Sequence, residues 1–164
     1  MRTMTVPTFY LETSVWGSLA PRQPRDRKGV VNRLLRLLDG AKGICVISEV
    51  VLEEIEEAPH SRNVLLFQAI ERIGPLMLAV TLEARALARA YIDAGILPER
   101  RRSDALHVAI ATCFDCDFLV SWNHRHMTRP TLGRLYEDVN RLQAFPRSPL
   151  ICNPVEACDE LRSG

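Results

Sequence analysis

The chain has 164 residues, 47% apolar and 25% charged, enough for one globular domain with its own core, so residues 1–164 are read as a single domain. A formal charge of +1 excludes a strongly basic molecule that binds nucleic acid through its whole field, so any such role must rest on local charge. No apolar run reaches the length of a membrane span, and the opening MRTMTVPTFY lacks the layout of a secretory signal; a cytoplasmic protein with no membrane partner and five reduced cysteines is expected.

Val6 to Leu11 reads as a short strand of β-branched and aromatic residues, and Thr13-Ser14 suits a strand-to-helix turn. A loop with Pro21 and Pro24 leads into an amphipathic helix from Asp26 to Leu38, which Gly40 and Gly43 punctuate before a buried strand at Ile44 to Ile47. Ser48 is placed to cap a helix from Glu49 to about Ala58, and Pro59 separates it from a second helix, Ser61 to Ile73. Leu76 to Val80 is a third strand. Thr81 caps the helix that follows, which Gly95 ends.

After the loop Ile96 to Arg102, the helix from Asp104 to about Phe114 is apolar almost all round, as a helix packed between layers would be. Asp117 to Trp122 is a fourth strand, Leu132 to Leu142 an amphipathic helix, and Leu150 to Cys152 a short last strand before a final helical turn. Strands alternating with helices imply right-handed crossovers and a parallel sheet covered on both faces. The expected fold is therefore α/β, a three-layer α/β/α sandwich with a mostly parallel sheet of four or five strands. In such sheets ligands bind at the carboxyl ends of the strands, where the winding direction reverses.

That rule gathers the candidate chemistry. Glu12 follows the first strand, Glu49 to Glu57 follow the second, Ser121-Trp122-Asn123 follow the fourth, and Asp104 opens the central helix. Carboxylates sharing one cleft repel each other, and a bound cation is one relief; oxygen-only ligands point to Mg²⁺ or Mn²⁺. Among the glutamates of the second segment, Glu54 lies nearest the apolar face set by Val51, Leu52, Ile55 and Ala58, whereas Glu53 points to solvent.

The strings YLETSVW, SEVVLEEI, SDALHVAIA and FLVSWNHRHM, in this order and spacing, resemble the four signature segments of PIN-domain nucleases, particularly VapC-type toxins of toxin-antitoxin pairs. The likeness spans most of the chain. Carried over by position, it implies a PIN-like fold with Glu12, Glu54 and Asp104 as the metal-site acids and Asn123 in the fourth, more variable place. It further implies a metal-dependent endoribonuclease that cuts RNA to leave a 5′-phosphate and a 3′-hydroxyl, an antitoxin partner and a homodimer. The family usually has Asp at the first position, so Glu12 adds a methylene; where many relatives carry a further acid near the fourth segment, this chain has His126.

Each residue also has an ordinary reading. Asp104 could complement a helix N-terminus, Glu12 could be a surface residue, and Asn123 could cap a turn. Ser14 and Ser121 could orient water or phosphate, or simply end strands. Arg100, Arg101 and Arg102 could meet an RNA backbone or form a solvated loop. His107, one turn after Asp104, reads as a satisfied core histidine, and the Cys113/Cys116 pair as core, since no second pair stands at metal spacing. A phospho-aspartate receiver is disfavoured because Lys28 and Lys42 both precede the second strand. A PIN-like RNA- or protein-binding module without turnover is the non-enzymatic alternative.

Overall fold

The computed structural model describes residues 5–164; residues 1–4, on which the expectation of no secretory leader partly rests, lie outside them. Among the described residues the strands and α-helices run β1 (Thr8–Leu11), α1 (Thr13–Gly17), α2 (Arg25–Leu37), β2 (Ile44–Ser48), α3 (Glu49–Glu56), α4 (His60–Ile73), β3 (Leu76–Leu78), α5 (Leu82–Asp93), α6 (Arg102–Cys113), β4 (Phe118–Val120), α7 (Pro130–Leu142), β5 (Leu150–Cys152) and α8 (Pro154–Ser163). None of these helices is long and apolar enough to cross a membrane.

The five strands are all parallel and pair in the order β3-β2-β1-β4-β5. The chain winds outward from β1 to β3, then crosses back over β1 to lay down β4, so the direction reverses between β1 and β4. β1 is central: Tyr10 stands opposite Val46 on one side and Leu119 on the other. Because successive side chains alternate, Phe9 and Leu11 join Ile47 and Val120 in a core beneath α1, α2, α4 and α8, while Tyr10, Val46 and Leu119 face α5, α6 and α7. The α3 helix serves both, sending Val51 and Ile55 to the first core and Val50 to the second.

These two covered faces make the three-layer α/β/α sandwich expected from the strand and helix alternation. Beyond its first turn α6 is apolar almost all round because it lies in the thick of the second core, with Ala105, Val108, Ala109, Ile110 and Ala111 fully buried. Thr81 caps α5 as expected, its hydroxyl accepting from Ala84 N at 3.1 Å, and Gly74 ends α4 in the left-handed conformation (φ 63°). The glycines after α2 play no such part: the left-handed residue there is Ala41 (φ 58°), within a π-helical turn at Leu38–Lys42. Ser48 does not cap α3; its hydroxyl is turned to Tyr10 instead.

Two further elements exceed expectation. The last helix, α8, is ten residues long rather than a single turn, started by Pro154 and by a capping box in which Asn153 and Glu156 satisfy each other's backbone N–H. A π-helical turn at His124–Thr128 follows Asn123, whose side-chain oxygen accepts from His126 N at 3.0 Å.

At the amino-terminal edge β1 and β4 are clasped by Thr8 and Asp117. Asp117 Oδ2 accepts from Thr8 N (2.9 Å) and Thr8 Oγ1 (3.0 Å), while Asp117 N donates to Thr8 Oγ1 (2.9 Å) and Arg147 Nη2 donates to Asp117 Oδ1 (2.8 Å). Burial opposes the charge on Asp117, but the Thr8 and Arg147 bonds outweigh it and lower its pKa. A carboxylate depressed in the folded state adds stability above its unfolded pKa of about 3.9, and that stability is lost as pH falls through the lower folded value. Asp117→Asn is accordingly expected to lose about 1 kcal/mol at pH 7, a figure discounted for its partial exposure, and to converge on the parent protein in urea unfolding near pH 2.

Candidate active site

The carboxyl-terminal edge of the sheet carries the chemistry. Glu12 follows β1, Glu54 lies in the second turn of α3 beyond β2, Asp104 lies in the first turn of α6, and Asn123 follows β4. Glu12 and Asn123 therefore flank the point between β1 and β4 where the winding reverses.

Glu12 is 4% exposed and serves as the N-cap of α1. Its Oε2 accepts from Ser14 N at 3.1 Å and its Oε1 from the Ser14 hydroxyl, which in turn accepts from Trp122 N at 2.9 Å. Ser14 thus ties the end of β1 to the end of β4. Glu54 is a third exposed, as its place on the helical wheel implied, while Glu53 is exposed. Glu54 Oε1 accepts from Thr13 Oγ1 at 2.8 Å and from His107 Nε2 at 2.6 Å. Asp104, with its side chain 14% exposed, accepts from Asn123 Nδ2 at 3.3 Å and stands 3.9 Å from Arg101 Nη1.

Every predicted site residue is placed on this edge, with one change of role. Ser121 is fully buried and its hydroxyl accepts from Asn123 N at 2.8 Å, so it shapes the turn that presents Asn123 and cannot orient a substrate directly. Ser14 is half-buried and stays at the edge. His107 is the buried, satisfied histidine expected, with Nδ1 2.7 Å from the Tyr10 hydroxyl, but its other partner is Glu54, a contact that the sequence reading missed. The available signal was the three-residue step from Asp104, which sets both on one helix face.

The electrostatics are those of a crowded acidic edge. Burial, helped by no adequate counter-charge, raises the pKa of Glu12 despite His107 and Ser14. Burial also raises that of Asp104 against the pull of His107 and Arg101, with Glu54 adding to the rise. For Glu54, burial is overcome by the His107 and Thr13 bonds, and its pKa falls. His107 is raised in spite of its burial, by the Glu54 bond and by the charges of Glu12, Glu54 and Asp104. All three carboxylates therefore act on one imidazole. For His126, burial and Arg101 lower the pKa, Asp104 opposes them, and Arg125 and Arg100 lower it further.

Among the described residues no three His, Cys, Asp or Glu side chains converge at metal-binding separation in this conformation. The donor chemistry nonetheless suits a hard divalent cation. The carboxylates are all-oxygen donors, and two of the three carry charge that the protein leaves poorly compensated. A cavity of 620 Å³ opens at the opposite edge, lined by Val6, Pro7, Phe9, Phe118 and Leu161, and lies away from these groups.

No protein-family model matches the chain, and no curated protein does. Solved structures do. A structure of VapBC2 from Rickettsia felis, bound to a DNA fragment from their promoter, superposes with a TM-score of 0.57 at 15% identity, over 89% of this chain and 98% of that one. VapC20 from Mycobacterium tuberculosis, a toxin that cleaves the sarcin-ricin loop, superposes with a TM-score of 0.52 at 18% identity, over 72% of this chain and 92% of that one. At such identities the likeness is one of fold, and it gives this chain the PIN-like fold of VapC-type toxins.

Proposed function

We propose that this chain, sharing its fold with VapC-type toxins, is a divalent-metal-dependent endoribonuclease and the toxin component of a toxin-antitoxin pair. The observation that supports the reading is that Glu12, Glu54 and Asp104 lie on the carboxyl-terminal edge of the sheet, where its winding reverses, each within electrostatic reach of His107. Glu12, Glu54 and Asp104 would hold Mg²⁺ or Mn²⁺. When bound, the ion lowers the pKa of a water for in-line attack on a phosphodiester and offsets the charge that develops there.

The chain's own residues do the rest. Ser14 holds the Glu12 carboxylate against the end of β4, Thr13 and His107 hold Glu54, and Asn123 holds Asp104. Asn123 is itself presented by Ser121 beneath it. Cleavage to a 5′-phosphate and 3′-hydroxyl, an antitoxin that blocks this edge and a homodimer belong to the same proposal. The purified chain should cut RNA with Mg²⁺ or Mn²⁺ and stop in EDTA; failure to cut any RNA with either ion would remove the enzymatic reading. Each carboxylate already has a protein donor, which favours a binding module as the second reading. In that case RNA or a protein partner binds and no cut product forms.

Arg100, Arg101 and Arg125 all act on His126 beside the acidic edge, a local positive charge that the net charge of +1 does not supply. They are suited to hold the RNA backbone on either side of the scissile phosphate. Each phosphate contact on a single strand contributes about 0.7 to the slope of log affinity against log salt. Arg100→Ala with Arg125→Ala, in an Asp104→Asn background that leaves RNA uncut, should lower that slope by about 1.4 in fluorescence anisotropy. An unchanged slope would return the arginines to a solvated loop.

A further inference from the structure

We propose that His107, held by Tyr10 and Ser48, is a positioning residue that fixes the direction of the Glu54 carboxylate and thereby sets how tightly the acidic edge takes a divalent cation. The inference rests on the metal-dependent reading above and assigns work to two buried side chains, Tyr10 and Ser48, which that reading leaves idle. Ser48 Oγ lies 2.6 Å from the Tyr10 hydroxyl, the Tyr10 hydroxyl 2.7 Å from His107 Nδ1, and His107 Nε2 2.6 Å from Glu54 Oε1. Tyr10 and Ser48 are fully buried and His107 is 1% exposed, so water does not compete for the Ser48–Tyr10–His107 bonds, and the chain opens to solvent only at Glu54.

The proton count fixes its direction. An ionised carboxylate only accepts, so Nε2 must carry the proton that faces Glu54. In the neutral imidazole Nδ1 then accepts from Tyr10, whose oxygen accepts from Ser48; in the imidazolium Nδ1 donates to Tyr10, which donates to Ser48. Either way the Nε2–H points at Glu54, and Tyr10 is what holds the ring to that orientation.

The bond from Thr13 Oγ1 lands on the same oxygen, Oε1, at 2.8 Å. Oε1 thus has two protein donors, and Oε2 is the oxygen left to meet a ligand. Ser48 stands at the N-cap position of α3, yet its side chain makes no cap bond and is turned to Tyr10. A histidine kept only to fill the core would not need an acceptor on another element, 53 positions away, at the carboxyl-terminal edge of the sheet.

Calorimetric titration of the full chain with Mn²⁺, alongside thermal unfolding in EDTA, tests the inference in the parent protein and in His107→Leu, His107→Gln and Tyr10→Phe. Partners of this kind typically contribute about 10- to 100-fold to metal affinity. His107→Leu should weaken Mn²⁺ binding by that factor; His107→Gln, whose amide N–H donates from a similar position, should recover part of it; and Tyr10→Phe should show a smaller loss. Nitrogen-detected NMR of the metal-free parent should find the His107 proton on Nε2. A folded His107→Leu that binds Mn²⁺ like the parent, or an Nε2 without its proton, overturns the inference alone. If His107→Leu does not fold, Tyr10→Phe with parental affinity overturns it equally. A parent protein that binds no Mn²⁺ overturns the metal-dependent function, and this inference with it.

Discussion

Asp104→Asn is expected to cut RNA cleavage by on the order of 10³-fold while raising the thermal stability of the metal-free protein, two effects of opposite sign from one lost charge. The loss of activity follows because asparagine keeps the shape and the contact with Asn123 but cannot supply a negative oxygen to a cation. The gain in stability follows from burial, which raises the Asp104 pKa and is reinforced by Glu54. A carboxylate with a raised folded pKa destabilises the native state as pH climbs through its unfolded value, and the deficit persists at pH 7. Against this stands the α6 helix dipole, which favours an acid in the first turn by about 0.3–1 kcal/mol. The raised pKa says that burial wins, so the variant should melt higher, by about 2–4 °C for each kcal/mol relieved. Scanning calorimetry in EDTA beside a gel assay decides it. A variant that cuts RNA normally removes Asp104 from the site; one that melts lower assigns it to the helix N-terminus.

The parallel sheet and the three layers were legible because the strands are buried on both faces and read as apolar runs between helical periods. Strand ends were less so. Val6 and Trp122 extend the pattern of β-branched and aromatic residues, but β1 begins at Thr8 and β4 ends at Val120, and strand limits depend on neighbours that periodicity does not reveal. Glu54 could be picked from a helical wheel since its burial is decided within α3. The partner of His107 could not, because it depends on where α3 and α6 come to lie, and the same holds for Ser48, whose hydroxyl prefers a tyrosine 38 residues away to its own helix. The full length of α8 was written in Asn153, Pro154 and Glu156, a capping signal that outweighed the short apolar pattern after it. The five residues of α1 are too few for a periodic signal, and Glu12 is not a usual cap.

That short helix makes the second large effect. An isolated helix of five residues has no stability of its own, so α1 depends on burial of Val15 and Trp16 in the first core and on its Glu12 cap. Trp16 is fully buried and its indole N–H donates to Leu11 O at 3.3 Å, fastening α1 back onto the last residue of β1. Trp16→Ala is therefore expected to lower stability by about 3–5 kcal/mol in urea unfolding, a large share of the roughly 5–15 kcal/mol of an ordinary domain. Its second effect separates the site from the general core. Ser14 rides on α1 and joins Glu12 to Trp122, so loosening α1 should release the Glu12 carboxylate even in molecules that stay folded. Leu161→Ala, a comparably buried change on α8 at the far edge, costs about 2–5 kcal/mol without touching that link. Assayed at a temperature where both variants are folded, Trp16→Ala should cleave RNA several-fold more slowly than Leu161→Ala. Equal rates would mean that Glu12 keeps its place without α1 and that Ser14 is dispensable to the site.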